Sequence, residues 1–158
     1  MATPEYVLWL RSHIGTAPLS LTGVTAVILR DEKLLLGRRS DNGAWTPITG
    51  IVDPGEEPAD AAVRESLEEA GVVVRATRLA WVHQIPRITY DNGDQADYLD
   101  LTFRCEWISG EPYPADGEMT DVGWFDLESL PSELSTDMRR RIASALSEDD
   151  PARFEGGL

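Results

Sequence analysis

GIVDPGEEPADAAVRESLEEAGV, residues 50–72, gathers seven acids and one arginine into 23 positions, where a helix is plainly trying to form. Pro58 fits the first turn of that helix and Gly71 its C′ position, so the spacing predicts a helix over residues 58–70. Turning about 100° per residue, Ala59, Ala62, Val63, Ser66, Leu67 and Ala70 share the sector expected to pack on a sheet. Glu65, Glu68 and Glu69 fall in a separate sector, with Arg64 one turn before Glu68. Like charges three and four apart cost roughly 0.2–0.5 kcal/mol a pair, so a solvated acidic face is tolerable and the helix alone decides nothing. The loop before it adds the second half of the argument. Gly50 and Gly55 permit a sharp turn, and Glu56 adds a carboxylate near the helix start. Convergent carboxylates beside a loop carbonyl describe a hard-oxygen site for Mg²⁺ or Mn²⁺. Zinc is not indicated: there is no cysteine pair, and His13 and His83 stand isolated in the sequence.

Outward from this stretch the chain alternates strands and helices. TPEYVLWLRSHIG predicts an N-terminal helix over 3–14, with Thr3 as N-cap and Pro4 at N1. Its apolar residues Val7, Leu8, Leu10 and Ile14 would dock on the body or on a second subunit, which makes a homodimer through this helix an expectation to test. A hairpin follows, with strands over 23–29 and 33–39 about a turn at Asp31-Glu32. A short strand is expected over Trp45–Ile48, and strands also within residues 72–85, 98–108 and 122–126. The helix over 136–147 precedes a tail expected to be loose from Asp149. This order predicts one α/β domain spanning 1–158, with helices on both faces of a mixed sheet.

Composition narrows the function. The formal net charge is −14 at pH 7, which disfavours nucleic-acid or anionic-membrane partners, because those need clustered Lys and Arg. A small phosphorylated ligand remains compatible where a few arginines or a metal sit locally. The single cysteine, Cys105, excludes an internal disulfide and suits a reducing compartment. No apolar run approaches the roughly 20 residues of a membrane span, and no signal-peptide pattern opens the chain, so the cytoplasm is the expected location.

The spacing Gly50-x5-Glu56-x7-Arg64-Glu65-Ser66-x-Glu68-Glu69-x-Gly71-Val72 resembles the signature of the Nudix hydrolases, matching eight of its nine specified positions. The departure is Ser66, where the family usually has an aliphatic residue; Thr49 and Asp53 also stand where Gly and Glu are frequent. The resemblance implies an α/β/α sandwich about a mixed, partly antiparallel sheet. It also implies hydrolysis of a diphosphate that links a nucleoside to another moiety, with Mg²⁺ or Mn²⁺ as cofactor. By similarity Glu65, Glu68 and Glu69 would ligate metal with the main-chain carbonyl of Gly50. Arg64 would orient a carboxylate, and Glu56 would support the loop or an outer-shell metal. The general base would be Glu65 or a later loop glutamate, here Glu118 in ADGEMTDVGW, with Asp116 as fallback. Arg39 resembles a phosphate-contacting arginine. Trp45, Tyr90, Tyr98 and Trp124 are candidates for a surface on which a base stacks.

Subfamily markers conflict. Pro86 lies fourteen residues beyond Val72 and Tyr90 eighteen, and neither matches its spacing of about sixteen in the families it resembles. The expected substrate is a small nucleotide, a nucleotide sugar such as ADP-ribose ahead of a nucleoside triphosphate; the acidity disfavours RNA decapping. The alternative is a nucleotide sensor on the same fold.

Overall fold

A computed structural model describes residues 3–157. At its centre lies β1 (Leu19–Arg30), whose run from Val24 to Leu29 is buried without interruption, as befits a strand covered on both faces. Along one edge β1 pairs in parallel with β6 (Gln95–Ser109), from Leu19↔Ala96 to Leu29↔Glu106. Its other edge is shared by two antiparallel partners: β2 (Lys33–Arg39) at the far end and β4 (Ile48–Ile51) from Gly23↔Ile51 to Ala26↔Ile48. β2 also pairs with β3 (Trp45–Thr46) and β7 (Met119–Asp126), while β5 (Val73–Thr89) closes the sheet against β6. The result is a seven-stranded mixed sheet.

Alternation along β1 sorts the core into two layers. Val24, Ala26 and Ile28 pack on one face with Ala61, Ala62 and Ala70 of α2 (Pro58–Ala70). Val27 and Leu29 pack on the other with Ile142 and Ala145 of α3 (Thr136–Ala145). This is the α/β/α arrangement expected. The helix α1 (Glu5–Ile14) rests on the sheet through Val7, beside Leu21, Ile51 and Ala96, and leaves Leu8 and Trp9 in solvent.

Several boundaries differ from the sequence expectation, each for a local reason. The N-terminal helix starts one residue later, with Pro4 rather than Thr3 at the N-cap. The expected strand Trp45–Ile48 is split into β3 and β4 at Pro47, which has no N–H for a ladder. β1 begins at Leu19 because β6 supplies a parallel partner that far down. The C-terminal segment, expected loose, pairs with the sheet at one point: Arg153 N–H donates to Ala80 O (2.8 Å) and Val82 N–H to Arg153 O (3.0 Å). Its guanidinium also lies 4.4 Å from the Trp81 ring centroid. Among the described residues no helix is long and apolar enough to cross a membrane.

Candidate active site

The predicted helix 58–70 is α2, opened by Pro58 and closed by Gly71 in the left-handed region (φ 68°), whose N–H bonds Leu67 O. Ala62, Ser66 and Ala70 are buried as expected and Val63 packs on the same core, but the buried face is turned toward the acids. The buried residues are Ala61, Ala62, Glu65, Ser66, Glu69 and Ala70, while Leu67 is 53% exposed. The acidic sector is therefore split: Glu65 and Glu69 turn inward at 4% and 2% exposure, and Glu68 stays outside. Gly50 permits this. A Cβ on Gly50 would lie 2.2 Å from Glu65 Cγ and 2.4 Å from its Oε1, so the missing side chain is the space that Glu65 fills. Ser66 is wholly buried, and its hydroxyl donates to Ala62 O at 2.7 Å, so the departure from an aliphatic residue leaves no buried donor unsatisfied.

Arg64 ties the loop to the helix. Its guanidinium donates to both carboxylate oxygens of Glu56 (2.8 and 3.0 Å), to Glu65 Oε1 (3.0 Å), to Glu68 Oε2 (3.1 Å) and to Ile51 O (3.2 Å). Glu56 Oε2 also accepts Asp53 N–H at 3.0 Å. Glu56 is thus spent on the loop and Arg64, and its carboxyl is held below the usual range chiefly by that arginine. Burial pushes the Glu65 carboxyl up, with Arg64 opposing the rise. Burial pushes Glu69 up to about 7, and the charges of Glu65 and Asp116 add to the effect. Burial makes both carboxylates costly to ionise, and Arg64 offsets part of that cost at Glu65.

The loop between β6 and β7 brings further acids. Tyr113 N–H donates to Ala70 O and Ala115 N–H to Glu69 O, both at 3.1 Å, so the loop caps the last carbonyls of α2. The Tyr113 ring sits where a Cβ on Gly71 would be. This places Asp116 and Glu118 so that ligand atoms of Glu69, Asp116 and Glu118 all lie within 4.8 Å of one another. These acids line a pocket of about 350 Å³ together with Arg39 and Asp41. The expected set was Glu65, Glu68 and Glu69; the observed close group has Glu69 from the helix and two acids from the loop, with Glu65 and Glu68 engaged by Arg64. All the donors are carboxylates, a set that fits a hard divalent cation.

Arg39 stands between this pocket and a larger cleft of about 660 Å³, lining both. Its fork closes on Asp41, Nε to Oδ1 at 2.9 Å and Nη2 to Oδ2 at 2.5 Å, and that pairing holds the Asp41 carboxyl below its ordinary range. Trp45, Tyr90 and Tyr98 line the cleft. Tyr90 and Tyr98 share a hydroxyl–hydroxyl bond of 2.8 Å, and Trp45 packs edge-on against Phe125 with centroids 4.8 Å apart. Trp124 does not line it and packs against the core on the α2 face. Sequence reading missed Asp41, Asp100, Asp137 and Arg141, which line the same cleft from three separate segments, the β2–β3 loop, β6 and α3; no local pattern marks them. His83, isolated in sequence, is stacked on Trp81 at 3.7 Å and lies 3.8 Å from Asp100 and 3.7 Å from Asp137.

A three-layer fold with buried helix acids behind a glycine loop and loop acids across a pocket defines the class. The family model of the NUDIX domain matches residues 20–146, and the chain belongs to the NUDIX family. It is 34% identical over 107 residues to the NAD-capped RNA hydrolase NudC of Chromobacterium violaceum, a match covering 66% of this chain and 37% of that protein. It is 31% identical over 111 residues to the ADP-ribose pyrophosphatase of Methanocaldococcus jannaschii, covering 68% and 63%. Among solved structures, an ADP-ribose pyrophosphatase of Streptococcus suis superimposes with a TM-score of 0.67 at 26% identity, covering 85% of this chain and 98% of the other. The chain thus spans little more than a third of the NudC protein's length.

Proposed function

We propose that this chain hydrolyses the diphosphate linkage of a nucleoside diphosphate joined to another moiety, with ADP-ribose and similar nucleotide sugars the first substrates to try. The observation that carries this reading is the close group of Glu69, Asp116 and Glu118 in one pocket with Arg39. Glu69, Asp116 and Glu118 would hold Mg²⁺ or Mn²⁺, and Glu65, Glu68 and the Gly50 carbonyl would be the further ligands that the family motif implies. Such a cation, when bound, neutralises phosphate charge and acidifies the attacking water. The protein's own groups do the positioning. Arg64 fixes Glu65 and Glu68 at hydrogen-bond distance. Arg39, freed from Asp41, meets a phosphate with its planar fork. Glu118 or Glu65 accepts the proton of the water. The cleft beyond Arg39 takes the organic part.

The name of the archaeal relative, an ADP-ribose pyrophosphatase, supports diphosphate chemistry, and the net charge of −14 favours small molecules over RNA. The test is a panel of ADP-ribose, NAD, nucleoside diphosphate sugars, nucleoside triphosphates and NAD-capped RNA, with Mg²⁺ and then EDTA. Mg²⁺-dependent release of a nucleoside monophosphate from the sugars, lost in Glu69→Gln, is the expected result. Tight binding of a nucleotide with no turnover of any would instead assign a sensor.

A further inference from the structure

The larger cleft is built for a neutral group. Its three arginines each face an aspartate: Arg11 lies 3.7 Å from Asp94, Arg39 is closed on Asp41, and Arg141 donates to Asp100 Oδ1 at 3.2 Å. Among the described residues the arginines of the cleft's interior, Arg11 and Arg141, are thus taken by aspartates, so the diphosphate belongs at the mouth, where Arg39 borders the acid pocket, and the interior receives an uncharged moiety. Trp45 and Met138 line one part of it, where Thr46 Oγ1 lies 3.6 Å from Met138 Sδ. A flat aromatic wall beside a thioether suits a planar ring.

Asp137 sits beside Met138 in the first turn of α3. It is held from behind. Arg141, 3% exposed and anchored on Thr25 and Asp100, donates Nη2 to Asp137 Oδ2 at 2.5 Å. Asp100, itself buried, is fixed by the hydroxyls of Thr25 (2.8 Å) and Thr102 (2.7 Å). The other oxygen, Asp137 Oδ1, has among the described residues only His83 Nε2 at 3.7 Å, beyond hydrogen-bond range, and the side chain is 41% exposed. The cleft therefore presents one rigidly oriented acceptor with spare capacity. An ionised carboxylate cannot donate, so it rewards an N–H and repels a carbonyl oxygen in the same place.

We propose that Asp137 is a specificity-determining residue that reads the nucleobase, accepting a hydrogen bond from an exocyclic amine and selecting amino-bearing over keto bases. The proposal deepens the diphosphate-hydrolase reading and rests on it. The step it explains is recognition only; no bond is made or broken.

The experiment compares ADP-glucose with IDP-glucose, which differ at the purine 6-position by an amine against a carbonyl, and adds UDP-glucose. In the wild-type protein ADP-glucose is expected to exceed IDP-glucose in kcat/KM by about 10–100-fold, the value of a charge-assisted hydrogen bond. Asp137→Asn keeps an oxygen for Arg141 and turns an amide N–H₂ toward the ligand. It is expected to compress the ratio at least about tenfold and to raise turnover of UDP-glucose, with the Mg²⁺ dependence unchanged. A merely structural role would lower all three substrates together and leave the ratio intact. A wild-type ratio below twofold overturns the inference, and it does so even where the variant fails to fold. If the wild type turns over none of the three, the hydrolase reading fails by itself; calorimetric binding of ADP-glucose against IDP-glucose then decides the inference, with the same preference expected and equal affinity refuting it.

Discussion

Burial of Glu69 makes a testable demand on stability. The carboxyl is 2% exposed and pushed up to about 7, against 4.5 for an ordinary glutamate. Between those values the folded protein keeps a proton that the unfolded chain has lost. Stability must therefore fall as pH rises from about 4.5 to about 7, and stay low above it. At 1.36 kcal/mol for each pH unit, the cost of the ionised, metal-free site is about 3 kcal/mol at pH 8. Glu69→Gln has nearly the same shape and no charge, so it removes this cost. For a chain of this length each kcal/mol moves Tm by roughly 2–4 °C, which gives an expected gain of about 6–12 °C at pH 8 in EDTA. The gain should shrink to nothing near pH 4.5. Excess Mg²⁺ should raise the Tm of the wild type at pH 8 and leave the variant almost unmoved, since a ligand that binds only the folded state stabilises it. The assay is a thermal melt by circular dichroism across pH, with and without metal. A variant less stable than the wild type at pH 8, or a difference that ignores pH, would refute the reasoning. Stability gained together with activity lost is the signature of a site kept for function.

Other perturbations follow from the same geometry. Arg64→Ala leaves Glu56 and the buried Glu65 without their shared partner; the cost, between that of exposed and buried pairs, is about 2 kcal/mol, seen as a lower Tm, and an unchanged melt would show the network to be idle. Gly50→Ala drives a Cβ into the Glu65 stem and should lower Mg²⁺-dependent turnover at least about tenfold, the order of effect known for misplaced active-site groups; full activity would mean that Glu65 is not used where it lies. Asp41→Asn removes one charge of the pair that occupies Arg39, so KM for a diphosphate substrate should fall a few-fold with kcat little changed, and a KM that holds or rises counts against Arg39 as a phosphate contact.

Local chemistry made the site partly legible. Pro58 and Gly71 announced the ends of α2 to the residue, because a missing N–H and a left-handed φ are properties of single residues. The spacing of Gly50, Glu56, Arg64 and the glutamates marked the family, since it records one loop and one helix that are contiguous in sequence. The helical wheel placed Ala62, Ser66, Ala70 and Glu68 on the faces they occupy, and missed at Leu67, which is exposed, and at Glu65 and Glu69, which are buried. Hydrophobicity is the only guide to burial that a sequence offers, and here it was outweighed by the gap at Gly50, which admits Glu65 against the sheet.

The sequence by itself determined the α/β/α class, the motif helix and its acids, all encoded within short stretches of chain. Only the tertiary structure decided which acids meet and what flanks them. Glu69 and Glu118 are 49 positions apart, and they converge because Tyr113 and Ala115 donate to the last carbonyls of α2. Asp100, Asp137 and Arg141 come together because β6 and α3 pack on the same sheet, with Arg141 reaching Thr25 of β1. A pattern within one segment can be read from spacing, but a contact between segments exists only once the sheet that carries them has formed.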